Sequence, residues 1–120
     1  MTILDAIRQV DSLRHNTFTQ EEKVQWLARV DGMIYKDVLS THEGCPDFQP
    51  YTEDTPLDQV LLVEAPYEEL YLHWLQTFMD FYEDVSHFNQ SLQMFTAAYD
   101  GYKAWYNRTH RPLGRQFSYV

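Results

Sequence analysis

The chain has 120 residues and a formal net charge of −9, with 44% hydrophobic and 22% charged residues. This length allows one domain that buries roughly two-thirds of its surface, and 19 aromatic residues exclude a disordered chain. The single cysteine, Cys45, excludes an internal disulfide and suits a reducing compartment. We expect neither a signal peptide nor a membrane-spanning segment, because the N-terminus lacks a basic region before an apolar one and no apolar run reaches about 18 residues.

Two capping boxes predict the first two helices. Thr2 and Asp5 begin a helix over about residues 3–14, and Thr19 and Glu22 begin a second helix that we expect to end at 42–44, where Gly44 can adopt a left-handed conformation. Trp26 is expected on a flank of this second helix. Its predicted buried stripe consists of Val24, Leu27, Val30 or Met33, Ile34 and Val38.

A long acidic loop is predicted over residues 43–56. Gly44, Pro46, Pro50 and Pro56 exclude a helix interior and a central strand from this segment. Thr55 and Pro56 then predict a short helix near residues 56–62, although the apolar run 60–63 fits a strand equally well.

The C-terminal half carries apolar residues at steps of three and four from Tyr67 to Tyr106. We predict two antiparallel helices with a break between Glu83 and Asn89, ending near Thr109. The sequence therefore predicts an all-α fold, a small helical bundle of four to five helices. Its helical domain covers residues 1–110, and an extended C-terminal arm covers 111–120.

Charge divides the chain into an acidic body and a basic end. The first 100 residues carry 5 basic and 18 acidic side chains, whereas the last 20 carry 4 basic and no acidic ones. Opposite charges at the two ends favour contact between copies of the chain. The alternative reading is that the last cations only complement the C-terminal end of the last helix. The predicted interface residues are Asp47, Glu53, Asp54 and Asp58 in the loop and Arg108, Arg111, Arg115, Phe117 and Tyr119 at the C-terminal end.

Candidate catalytic groups are few. His42, Glu43, Cys45 and Asp47 are close in sequence and include metal-ligand types, but no second cluster at a suitable spacing accompanies them. Glu68 and Glu69 are poor candidates for an acid–base pair, because adjacent side chains point about 100° apart on a helix. No phosphate-binding loop, dinucleotide fingerprint, nucleophile elbow or zinc-protease motif occurs. We predict a protein that is not an enzyme and needs no cofactor or metal.

Several segments of the chain resemble small prophage structural proteins, the head–tail connector (adaptor) family of long-tailed phages. The resemblance rests on Pro66–Leu72, on Phe88–Ser91 followed by Met94–Tyr99, and on Trp105–His110. It extends to the N-terminal half through Thr17–Gln20, Lys23 with Val24, Trp26 with Leu27, and Thr41–Gly44. These motifs consist of aromatic and turn residues, and none is a chemical signature.

The resemblance implies a structural virion protein that assembles as a ring under the portal and links the DNA-filled capsid to the tail. Its partners would be the portal protein, neighbouring neck or tail proteins and further copies of itself, and DNA would pass through without specific binding. It would occupy the host cytoplasm during assembly and then the virion neck. Two alternatives stay open: an acidic regulatory module that mimics DNA, and a metal-dependent hydrolase using His42, Glu43 and Asp47.

Overall fold

The computed structural model describes residues 1–113 of the chain. Its α-helices are α1 (Ile3–Leu13), α2 (Gln20–Asp37), α3 (Leu70–Glu83) and α4 (Val85–Thr109). Short 3₁₀ turns follow α2 at Leu39–Thr41 and precede α3 at Tyr67–Glu69. Within residues 1–113 there are four α-helices and no β-strand, so the predicted all-α class is confirmed.

Both capping boxes are present. The Thr2 hydroxyl accepts from the Asp5 amide and the Asp5 carboxylate accepts from the Thr2 amide, each at 3.0 Å. The same reciprocal bonds join Thr19 and Glu22. A helix leaves its first amides without internal partners, and these local side chains supply some of the missing acceptors.

The predicted end of α2 at residues 42–44 is wrong, because the α-helix ends at Asp37. The carbonyl oxygen of Val38 accepts from the Thr41 hydroxyl at 2.8 Å and lies 2.7 Å from Nδ1 of His42. Both side chains therefore bond to a carbonyl that would accept from a backbone amide if the α-helix continued. Gly44 does adopt a positive φ of 76°, but in the turn beyond the 3₁₀ segment.

The core lies where α3 packs against α1, α2 and α4. Leu27, Val30 and Ile34 of α2 are fully buried, as the helical stripe predicts. The prediction of a flanking position for Trp26 is wrong. Its ring is buried and stacks on Phe78 of α3 with centroids 5.0 Å apart.

Helices α3 and α4 form an antiparallel hairpin that breaks at Asp84, within the predicted interval. Residues progressively earlier in α3 contact residues progressively later in α4, as expected for antiparallel helices. Ring centroids lie 5.7 Å apart for Phe81 and Phe88 and 4.8 Å apart for Trp74 and Phe95. The 3₁₀ turn before α3 continues the series, with the rings of Tyr67 and Trp105 5.1 Å apart.

The predicted short helix near residues 56–62 is absent, and so is the alternative strand at 60–63. The backbone of this segment closes one turn, from the Gln59 amide to the Pro56 carbonyl at 3.1 Å, and otherwise bonds mainly to the start of α1. The Ile3 and Leu4 amides donate to the carbonyls of Gln59 and Leu57 at 3.0 Å each, and the Leu61 amide donates to the Met1 carbonyl at 2.9 Å. The irregular segment therefore extends over 42–66, ten residues further than predicted.

Candidate interface: the acidic loop and the C-terminal segment

A buried carboxylate holds the long loop in place. Asp31 of α2 is fully buried, and its Oδ2 accepts from the Tyr51 hydroxyl at 2.5 Å and from the Leu62 amide at 3.0 Å. Its Oδ1 accepts from the Tyr71 hydroxyl at 2.5 Å. The Tyr71 hydroxyl in turn accepts from the Val63 amide at 2.8 Å, so that one carboxylate joins α2, α3 and both ends of the 51–63 segment.

These hydrogen bonds compensate for the burial of Asp31. Burial raises the pKa of the Asp31 carboxyl above its ordinary value, although the bonds from Tyr51, Tyr71 and the Leu62 amide act in the opposite direction. Burial also raises the pKa of the Tyr71 hydroxyl well above its usual value, and the adjacent carboxylate adds to that rise. Ion pairs within residues 1–113 do not include Asp31, so hydroxyl and amide donors alone satisfy this carboxylate.

The anchored loop forms one wall of a groove of about 510 Å³, whose other wall is the N-terminal half of α2. Val24, Tyr51 and Leu57 supply its apolar floor, and Glu21 and Glu53 lie on its exposed rim. We call this cavity the acidic groove. Because Tyr51 contributes to the floor and also donates to Asp31, the buried carboxylate fixes the shape of the groove.

The four predicted acidic residues of the loop do not form one cluster. Glu53 lies on the rim of the acidic groove, and Asp54 follows it in a turn closed by Thr52 and Thr55. Asp58 belongs to the stretch that pairs with the start of α1. Asp47 precedes Phe48, whose ring stacks on Tyr35. All four side chains are exposed and have no ion-pair partner among residues 1–113.

The start of the C-terminal segment pairs with its own domain. The Glu43 amide donates to the Arg111 carbonyl at 2.8 Å, and the Leu113 amide donates to the Thr41 carbonyl at 3.2 Å. The Arg111 guanidinium lies 4.0 Å from the Glu43 carboxylate and is 80% exposed. Residues 111–113 are thus anchored beside the end of α2, although the predicted arm begins at residue 111.

The remaining predicted residues of the basic end divide into two groups. Arg108 is exposed in the last turn of α4. Arg115, Phe117 and Tyr119 lie outside the described residues.

The metal-ligand types near residue 45 do not form a metal site in the described chain. His42 is buried, and its ring packs edge-on against Tyr106 with centroids 4.9 Å apart. Among residues 1–113, no group of three or more His, Cys, Asp or Glu side chains is arranged to hold a metal ion.

An exposed apolar surface lies at the turn between α3 and α4, within the run of helically spaced apolar residues from Tyr67 to Tyr106. Phe81, Tyr82 and Val85 are 54%, 62% and 72% exposed. A second groove of about 360 Å³ runs beside them, lined mainly by aromatic side chains of α3 and α4, with Arg29 of α2 at its edge. Exposed apolar patches of this kind mark protein contact sites. Helical spacing gives no sequence signal for this surface, because the same steps of three and four include both buried and exposed residues.

Two further findings concern the class of protein. Within residues 1–113, no helix is long and apolar enough to cross a lipid bilayer. Comparison of the chain with family models, with curated proteins and with solved structures yields no match.

Proposed function

We propose that this chain is a structural protein of a tailed-phage virion, a head–tail connector that assembles as a ring under the portal and joins the filled capsid to the tail. The proposal starts from the resemblance of the chain to that family. Its partners are the portal protein, neighbouring neck or tail proteins and copies of itself.

One observation of the fold carries the self-assembly part of this proposal. The acidic groove borders the first two turns of α2, whereas the described part of the basic C-terminal segment is anchored at Thr41, just beyond the other end of that helix. Complementary surfaces at different places on a subunit make head-to-tail contacts, which close into rings or continue as filaments. The exposed apolar turn between α3 and α4 offers a further surface to another neck protein.

The charge distribution supports passage of DNA without binding. No lysine or arginine occurs between Lys36 and Lys103, and 13 acidic residues do. A surface of this sign repels the phosphate backbone, which a DNA channel needs if the duplex is to slide through. The acidic charge therefore favours a channel lining over a nucleic-acid-binding protein.

A deletion of the gene in the phage or lysogen that encodes it tests the connector function. We expect DNA-filled heads and separate tails in electron micrographs, and restoration of tailed particles by the full chain. A chain that ends at Leu113 should keep its helical content and fail to restore them. Tailed, infectious particles at the normal level without the protein would refute the proposal.

Purified virions and infected cells distinguish the connector from the DNA-mimic alternative. A connector must be present in purified virions, which mass spectrometry detects. A regulatory module would be missing from virions and would be recovered from infected cells with a DNA-binding protein.

A further inference from the structure

The acidic groove combines an apolar floor with a charged rim, and the described residues supply no cation for that rim. Its floor of Val24, Tyr51 and Leu57 is apolar, and its rim carries the carboxylates of Glu21 and Glu53. Neither rim carboxylate has an ion-pair partner among residues 1–113. Neighbouring Glu22 differs, because it is engaged in the cap of α2. A complementary occupant needs a cation for the rim and an apolar or aromatic group for the floor.

The C-terminal residues of this chain have that composition. Arg115, Phe117 and Tyr119 alternate with Gln116 and Ser118, and no acidic residue occurs after Asp100. In a segment bound in an extended conformation, residues two apart lie on the same face. One face of such a segment would therefore present a cation and two aromatic rings together.

The reach of the chain places this occupant in another copy. The described chain is held at Leu113 by the bond from its amide to the Thr41 carbonyl, beyond the end of α2. From Val24 in the groove to Asp37 at the end of α2 the helix rises about 20 Å. The four residues from Leu113 to Phe117 span at most about 14 Å even when fully extended. Phe117 of the same chain therefore cannot reach the groove.

We propose that the acidic groove binds residues 114–120 of a second copy, with Arg115 against the carboxylates of Glu21 and Glu53 and with Phe117 and Tyr119 on the apolar floor. This inference rests on the self-association in the proposed function and specifies its contact. Since the donor segment and the acceptor groove are different surfaces, each bound copy still offers a free groove to the next.

A peptide of residues 111–120 (RPLGRQFSYV) tests the contact directly. Titrated into the isotope-labelled full chain, it should shift the amide resonances of Glu21, Val24, Tyr51 and Glu53. Replacement of Phe117 by alanine in the peptide should weaken binding about tenfold, because burial of a phenyl ring supports at least that factor. Added salt should also weaken binding, because the rim contacts are between exposed charges.

A charge exchange makes the test specific. Glu53→Arg in the protein should weaken binding of the natural peptide about tenfold, and Arg115→Glu in the peptide should restore it. Asp47→Arg is the matched control, since this loop carboxylate is also exposed but does not line the groove. Absence of shifts at the groove at millimolar peptide, or binding that Glu53→Arg leaves unchanged, would overturn the inference.

The outcome is separable from that of the proposed function. Tailless particles after gene deletion, together with no peptide binding at the groove, would refute this contact and leave the connector function standing. Peptide binding at the groove together with normal virions in the deletion strain would refute the connector and keep the contact.

Discussion

The tyrosine at position 71 allows a sharp test of the buried network around Asp31. Tyr71→Phe removes only a hydroxyl, but that hydroxyl donates to Asp31 and accepts from the Val63 amide. The change leaves a buried carboxylate with one donor fewer and a buried amide without an acceptor. Each such loss costs about 1–3 kcal/mol, so we expect the free energy of unfolding to fall by about 2–6 kcal/mol.

Tyr102 supplies a matched control for this substitution. Its side chain is also fully buried, but its hydroxyl has no hydrogen-bond partner among the described residues. Tyr102→Phe removes an unsatisfied polar group, and we expect a stability equal to or above that of the natural chain.

Urea denaturation followed by circular dichroism measures both variants. The Tyr71→Phe protein should also melt about 8–24 °C lower, given the unfolding entropy of a domain of this size. Equal loss of stability in the two variants, or no loss in either, would refute the reasoning, because the hydrogen bonds made by Tyr71 and not by Tyr102 would then contribute nothing to stability.

Three further predictions concern charges and caps. Because burial raises the pKa of Asp31, its protonated carboxyl stabilises the fold fully below the unfolded pKa of about 3.8, and this stabilisation is lost as pH rises through the folded pKa. The free energy of unfolding of the natural chain minus that of Asp31→Asn should therefore decrease from pH 3.5 to 7 in urea titrations. Arg14→Met leaves the buried carboxylate of Asp80 with only the Ser91 hydroxyl, and calorimetry should show a loss of about 1–3 kcal/mol. Thr19→Ala removes the α2 cap and should cost about 1 kcal/mol in the same assay, whereas a neutral result would mean that packing alone sets the start of α2.

Part of the candidate interface could be predicted from the sequence. The charge contrast between the body and the C-terminal end is a property of composition, and the exposed state of Glu53, Asp54 and Asp58 follows from their position among turn residues. The groove itself could not be predicted, because its walls come from α2 and from a loop about 30 residues later in the chain. The anchoring of residues 111–113 beside Thr41 depends in the same way on partners far apart in sequence.

The amino-acid sequence by itself determined the local features of this protein: the all-α class, the starts of α1 and α2, and the break at Asp84. Caps, turns and helical periodicity act between residues at most a few positions apart, and so they can be recognised without a structure. Only the tertiary structure decided the irregular path of residues 56–66 and the burial of Asp31. Each of these depends on a hydrogen bond or a packed surface formed with another element, and such partners become neighbours only when the chain has folded.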